Sequence, residues 1–306
     1  MRILTIVPLL AALASPGEAL GARWEEAGPV TRVETCPLGG GRFSYATTTY
    51  YRSYGERPDG KPFGSWTFPL PLPECPGNGL VVYGHFERGE LPRLGRIVAS
   101  PAYRALRKKH GQHYRAYWLM KAMKEKPYRY IWSLIKATWE AEPNPRLRKS
   151  YLAELAATPV SAADLTQIDW LAAEARAINA LRELGRFGEA LARLEKLPLA
   201  GLDRPPPVYD GRNATLVSDA RGGREWHARF RALKRVIERR DASIEPLDLL
   251  PRSVALGRCL ESVDKLDEAG RAFCAGQSEG IEALRAARKK LDEEGAAGDS
   301  PSKSRR

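Results

Sequence analysis

Cysteines at 36, 75, 259 and 274, histidines at 85, 110 and 113, and the carboxylates Asp59 and Glu74 are the side chains whose types and spacing bear on chemistry. Cys36 and Cys75 each open a Cys-Pro dipeptide with glycine behind it, in CPLGGGRF (residues 36 to 43) and CPGNGLVVY (75 to 83). A structural zinc site closes with four ligands, its thiolates paired two or three residues apart. Gly39 and Asn78 stand where the second thiolates would fall, so each turn keeps half of a metal-binding pair. His110 and His113 lie three apart in a predicted helix, a spacing that puts both imidazoles on one face. A metal there needs a third ligand, His85 or a carboxylate such as Glu87. Arg107, Lys108 and Lys109 oppose a bound cation and fit a solvated basic face instead. Asp59 sits in a turn and Glu74 in a proline-rich loop, where carboxylates are commonly structural. No nucleophile elbow, P-loop, dinucleotide fingerprint or metalloprotease helix occurs, and no cofactor is called for.

The N-terminus, MRILTIVPLLAALASPGEALGA, has one arginine, an apolar run from Ile3 to Ala14 and a small-residue segment, the anatomy of a secretory signal. About twenty apolar residues are needed to span a bilayer, so the run is too short for an anchor. Cleavage is expected near Ala22, leaving a periplasmic or secreted chain long enough for one large or two modest domains. Residues 1–22 carry one charge of each sign, Arg2 and Glu18. The balance of 49 basic and 37 acidic residues, net +12, therefore belongs to the mature protein. That charge suits an anionic polymer or membrane surface as well as an ordinary solvated surface. Export makes nucleic acid an unexpected partner.

Two textures divide the rest into an α+β chain: a small strand- and turn-rich domain over residues 30–95 and an all-α domain over 100–294. In the first, the Thr- and Tyr-rich run RFSYATTTYY favours strand. Pro58-Asp59-Gly60 and Pro62 to Gly64 are turn signals for a hairpin between the run ending at Tyr54 and Ser65 to Phe68. FPLPLPECP should run extended before LVVY returns to strand. In the second, Ser100-Pro101 is an N-cap and first-turn proline opening one helix, PAYRALRKKHGQHYRAYWLMKAM. Further helices read as YRYIWSLIKATWEAE, PRLRKSYLAELAA, SAADLTQIDWLAAEARAINALRELG, FGEALARLEKL, REWHARFRALKRVIERR, SVALGRCLESVD and LDEAGRAFCAGQSEGIEALRAARKKL. Residues 202 to 223 read as a loop or small hairpin, and 295–306 as a disordered tail.

One helix pair has a recognisable pattern, AINALRELGRFGEALARLEKLP at residues 177 to 198. Ala180 and Leu184 edge a first helix, Gly185 ends it, Phe187 fills the turn, Ala190 is small where two helices touch, and Leu194 continues the second helix. The pattern resembles the tetratricopeptide repeat, TPR, and a weaker echo lies at residues 259 to 273, with a third at 117 to 143. The starts are some sixty to eighty residues apart, so the resemblance is to an interrupted solenoid. It implies a groove that holds a peptide or protein partner and does no chemistry. An ordinary bundle with Gly185 as a C-cap is the plainer alternative.

The Cys-Pro turns resemble a zinc ribbon reduced to one cysteine per knuckle. The chain is also similar to exported bacterial proteins that join such a domain to a TPR-like region, a resemblance that carries no activity across. Because the two loops of a ribbon face one another, it implies a Cys36–Cys75 disulfide in an exported protein. Cys259 and Cys274 flank a helix-turn-helix centred near Lys265, with a height mismatch of about 3 Å, so they too can meet. Of three possible pairings, this one keeps each bridge within one expected domain.

REWHARFRALKRVIERR places Trp226, Phe230, Leu233 and Ile237 on one stripe and Arg229, Arg231, Lys234, Arg235, Arg239 and Arg240 over the remainder. The stripe either packs into the core or lies on an anionic surface. The sequence therefore points to an exported scaffold that binds an envelope protein or peptide through a TPR-like surface. A histidine-centred metal-dependent hydrolase and a binder of anionic cell-wall or lipid polymer are the alternatives.

Overall fold

PVTRVET, four of whose seven residues are β-branched, becomes a strand with RFSYATT folding back on it. In the structure, a computed structural model describing residues 28–163, 166–203, 211 and 214–298, β1 (Pro29–Thr35) pairs antiparallel with β2 (Arg42–Thr48). Thr35 lies opposite Arg42, so CPLGGG is the hairpin's turn. The expected signal segment lies outside the described residues, as do 299–306 of the expected tail. β3 (Ser53–Glu56) pairs antiparallel with β4 (Pro62–Gly64). The expected second hairpin thus forms, but its return strand is Pro62–Gly64 rather than Ser65 to Phe68. Phe68, 7% exposed, turns into the helical core and takes its segment off the ladder. LVVY is likewise no strand: only Val81 bridges, to Glu74. Leu80 and Val81 are both fully buried, so the in-out alternation of a half-buried strand is lost.

The two Cys-Pro turns are built alike. Cys36 N–H donates to Gly41 O (2.9 Å) and Gly40 N–H to Cys36 O (3.1 Å); Cys75 N–H donates to Leu80 O (2.9 Å) and Gly79 N–H to Cys75 O (2.8 Å). Cys36 and Cys75 are joined by a disulfide, with Cα atoms 5.6 Å apart. Asn78, at the vacant ligand position, donates from Nδ2 to Leu38 O (3.1 Å) and so ties one turn to the other. The second turn is docked on the helices: Tyr103 hydroxyl donates to Gly79 O (2.8 Å), and Arg115 grips Glu74 with two bonds of 2.8 and 2.6 Å.

Eleven α-helices follow among the described residues: α1 (Leu91–Val98), α2 (Pro101–Lys109), α3 (Gln112–Ala122), α4 (Pro127–Glu140), α5 (Pro145–Ala157), α6 (Gln167–Glu183), α7 (Phe187–Leu194), α8 (Ala214–Glu238), α9 (Arg252–Ser262), α10 (Glu268–Ala275) and α11 (Ser278–Gly298). α1, not expected from the sequence, buries Leu94 and Val98, one turn apart, in the cluster that holds Cys36, Cys75, Leu80 and Tyr103. α2 starts as expected, with Ser100 Oγ accepting from Tyr103 N–H (3.2 Å) and Pro101 at its first position.

The expected single helix from Pro101 to Met123 breaks at His110 and Gly111. The cause lies on α4: the Glu140 carboxylate accepts from the backbone N–H groups of Gln112 (2.9 Å) and His113 (3.1 Å), capping a new helix. A Cβ on residue 111 would stand 2.2 Å from that carboxylate, so Gly111 admits it. Other boundaries differ: α6 begins at Gln167 rather than at Ser161, and α11 runs to Gly298, four residues into the expected disordered tail. α8 begins at Ala214, inside the expected loop, and the segment from Leu266 to Leu291 is two helices that part at Gly276.

Each helix from α3 to α8 packs on its sequence neighbour. Ile131, Leu134, Tyr151 and Leu155 centre one core between α3 and α6. Leu171, Ile178, Ala190, Phe230 and Ile237 centre the next, between α6, α7 and α8. A fourth cluster surrounds the second disulfide, Cys259–Cys274, whose Cα atoms are 5.5 Å apart.

Candidate functional site

α6 has two working faces. Trp170, Glu174 and Leu181, at positions i, i+4 and i+11, share one face and line a groove of about 720 Å³. The C-terminus of α5 with Thr158 and Val160 forms one wall; Glu189, Ala192 and Arg193 of α7, with Lys196 beyond it, form the other. Arg193 fastens the walls together. It donates to both carboxylate oxygens of Glu174 (2.7 and 3.0 Å) and, through Nη1, to Ala156 O at the end of α5 (2.7 Å). A bidentate guanidinium of this kind fixes orientation as well as charge. Arg186 and Glu189 neutralise each other at 2.5 Å on the rim. Lys196 is exposed and, among the described residues, has no ionic partner, so the groove presents apolar surface beside one free positive charge.

The pattern residues for the helix pair lie where they hold this groove together. Ala180 and Ala190 are fully buried and Leu194 is 4% exposed; Leu184 and Phe187 pack against the cores at their edges. Gly185 has φ +73°, a left-handed conformation that ends α6 and turns the chain into α7.

The other face of α6 is charged and buried. The β3–β4 turn, Arg57-Pro58-Asp59-Gly60, is buried against it rather than solvated. Arg57 is bidentate to Asp59 (3.1 and 2.5 Å) and reaches Glu142 (2.5 Å), which Lys61 also contacts (2.7 Å). Burial pulls the Arg57 pKa down, but Asp59 and Glu142 more than offset it and hold the guanidinium above its usual value. Arg148 donates to Glu183 (2.5 Å) and lies 3.5 Å from Asp59 Oδ2, too poorly aligned for a hydrogen bond. Arg176 meets Glu56 (2.7 Å), and its guanidinium would lie 2.7 Å from a Cβ on Gly60. Arg182, fully buried, donates to Asn179 Oδ1 and to the carbonyls of Asp241 and Ser243. Burial depresses the pKa of Arg176 and Arg182 and raises that of Glu183. The hairpin tip is thus an ionic plug that fixes the helix whose opposite side lines the groove.

The histidines do not converge. His85 is exposed, 3.9 Å from Glu87. With the helix broken, His110 caps the end of α2, its Nδ1 2.6 Å from the Tyr151 hydroxyl, while its ring stacks on Tyr114. Burial, with Lys109 beside it, lowers the His110 pKa. His113, 2% exposed, donates from Nε2 to Leu70 O (2.9 Å), and burial pushes its pKa down to about 4. Among the described residues no group of three His, Cys, Asp or Glu side chains is placed to hold a metal ion. The break between α2 and α3 removes the shared helix face expected for His110 and His113, and His85 does not join them as a third ligand. Asp59 and Glu74 are both committed to arginines.

On α8 the apolar stripe is core: Phe230, Leu233 and Ile237 are buried, and Trp226 lies at the cluster edge. Arg229 pairs with Glu56 (2.7 Å) and covers Trp226; Arg239 pairs with Asp241 and Asp248; Lys234 lies 3.7 Å from Glu238; Arg240 covers Phe187. Arg231 and Arg235 are exposed and make no salt bridge among the described residues, though Arg231 lies near enough to Asp203 to help lower the pKa of its carboxyl. Sequence reasoning missed Trp170, Arg193 and Lys196, although the helical spacing of Trp170, Glu174 and Leu181 is readable. The contribution of α5 was not, because the wall depends on tertiary packing. Two disulfides fit an oxidising environment outside the cytoplasm, and no described helix is long and apolar enough to cross a membrane. In comparisons with family models, curated proteins and solved structures, nothing matched this chain.

Proposed function

We propose that this is an exported, non-catalytic binding protein whose TPR-like pair α6–α7, with the end of α5, holds an extended segment of another envelope protein. The observation that carries the reading is the groove itself: apolar side chains flank it, Arg193 locks its walls, and Lys196 leaves a positive charge for a carboxylate of the bound segment. A buried ionic plug behind α6 keeps the surface preformed, which lowers the cost of binding. The Cys-Pro turns serve in this reading as a covalent staple.

The test is selection of displayed peptides on the folded protein and on Ala192→Arg, which fills the groove from an exposed position. Selected peptides should combine apolar residues with an acidic one and bind the variant at least about tenfold more weakly. Equal binding to both proteins, or no selected peptide, contradicts the reading. Arg231 and Arg235, exposed and in no salt bridge among the described residues, favour a second reading, attachment to an anionic polymer. It predicts retention on such a polymer that collapses with salt and is lost in Arg231→Glu with Arg235→Glu.

A further inference from the structure

Residues 91–124, across α1, α2 and α3, hold nine lysines and arginines and no aspartate or glutamate, in a chain whose net charge is +12. Four of the nine are held by the fold. Arg93 donates to Ala122 O (2.6 Å) and Arg107 to Asn78 O (3.0 Å), while Arg115 pairs with Glu74 and Lys121 with Glu154. Arg96, Arg104, Lys108, Lys109 and Lys124 are exposed and in no salt bridge among the described residues.

Three of these five stand on α2. The helix turns Tyr103 inward, half-buries Leu106, and shows solvent the stripe Pro101, Arg104, Ala105 and Lys108, with Lys109 on its flank. Arg104 and Lys108 are about 6 Å apart along the helix axis, and like charges at this spacing repel each other. Lys108 and Lys109 suit the dipole in the last turn, but Arg104, at the end of a first turn that has no carboxylate, does not. No acidic residue on α1, α2 or α3 relieves the repulsion, so an anion from outside the chain would.

The kind of anion follows from the rest of the face. It is the outer side of a helix rather than a cavity, which fits an extended anion and not a small enclosed one. Every large apolar or aromatic side chain in residues 91–124 is buried or half-buried. Lipid chains therefore receive no inserted side chain there, and nucleic-acid bases find no exposed ring to stack on. What remains is a row of charge, which matches a linear polymer with anionic groups spaced along its backbone, and the guanidinium fork of Arg104 suits phosphate oxygens.

We propose that the outer face of α2, through Arg104, Lys108 and Lys109, is a docking surface for a linear envelope polymer of polyol units joined by phosphodiesters. The ligand class is that of the second reading above, an anionic polymer, but the residues are different, and the α5–α7 groove has no part in it.

Binding of labelled synthetic poly(glycerol phosphate) to the full mature chain, followed by fluorescence anisotropy over a range of salt, tests the proposal. Binding should be saturable and weaken as salt rises. Arg104→Glu with Lys108→Glu should weaken it by about tenfold or more and flatten its salt dependence by the loss of about two phosphate contacts. Arg231→Glu with Arg235→Glu removes the same charge from α8 and should change it by less than about threefold. Arg104→Gln with Lys108→Gln should give a smaller loss in the same direction, and covers the case in which the reversal disturbs α2. Phosphatidylglycerol vesicles present the same phosphodiester on a bilayer and should bind more weakly at equal phosphate concentration. Equal losses in the α2 and α8 pairs would make net charge the cause, and tighter binding of vesicles would make the ligand a bilayer. Either result, a loss confined to the α8 pair, or no binding of the polymer overturns the assignment.

Discussion

His113 packs into the core, donates Nε2–H to Leu70 O, and leaves Nδ1 buried without a partner. A proton added at Nδ1 would find no acceptor, and burial is the chief reason that the pKa falls from the ordinary 6.5 to about 4. The unfolded chain takes up this proton near pH 6.5 and the folded chain only near 4, so stability is lost as pH falls through that interval. The full loss is about 3 kcal/mol. Urea denaturation of the native chain and of His113→Gln, which keeps a donor for Leu70, should show a steeper fall in stability from pH 7 to 4.5 in the native chain. Parallel profiles would place the titration elsewhere. Residue-scale readings of the sequence succeeded where the signal was local. Ser100-Pro101 starts a helix because both residues act within one turn, and Gly185 ends one for the same reason. They failed at His110 and Gly111, because the group that caps α3 belongs to Glu140, on another helix.

α3, α6 and α8 end in one way. In each, the second residue past the cap donates to a carbonyl five positions back: Glu125 to Met120 (2.9 Å), Arg186 to Leu181 (2.9 Å) and Asp241 to Val236 (3.2 Å). The left-handed position between is Lys124 (φ +64°), Gly185 (φ +73°) or Arg240 (φ +60°). A side chain there costs about 1 kcal/mol. Lys124→Gly should therefore raise stability by up to about 1 kcal/mol and Gly185→Ala lower it by a similar amount. Arg240→Gly should gain less, since Arg240 also covers Phe187. Thermal unfolding of the three variants ranks them. The β3–β4 hairpin carries another element-scale prediction. Pro58-Asp59-Gly60 reads from the sequence only as a turn, yet it is buried among arginines from α5 and α6 that are about ninety to one hundred and twenty residues away. Asp59→Ala leaves Arg57 and Arg148 short of a counter-charge in the interior and should cost about 3–5 kcal/mol. A loss under about 1 kcal/mol would be that of a surface pair and would contradict the plug.

At the scale of the molecule, two bridges tie distant parts of the chain. Cys36–Cys75 closes 39 residues and Cys259–Cys274 closes 15. In the chain-entropy treatment these closures contribute about 4 and about 3 kcal/mol, so replacing Cys36 and Cys75 by serine should destabilise more than replacing the second pair. Differential scanning of the two double variants compares them. The α+β division was legible because the Thr- and Tyr-rich run and the 3.6-residue apolar periodicity are contrasting local patterns. The union of the two parts was not. Cys36, Cys75 and Leu80 share one cluster with Leu94, Tyr103 and Leu119, and nothing in CPLGGG or CPGNG announces Tyr103 as their neighbour. The groove stood between these cases, with α6 and α7 readable as a pair and the α5 wall supplied by packing.

The binding reading is tested most directly by a photocrosslinking amino acid at position 192, in the groove, and, separately, at exposed position 104 on α2, with products mapped by mass spectrometry. A discrete apolar-acidic segment of one envelope protein captured from position 192, absent from position 104 and competed away by a display-selected peptide, is the predicted result. Equal products from both positions, or none from position 192, would contradict it.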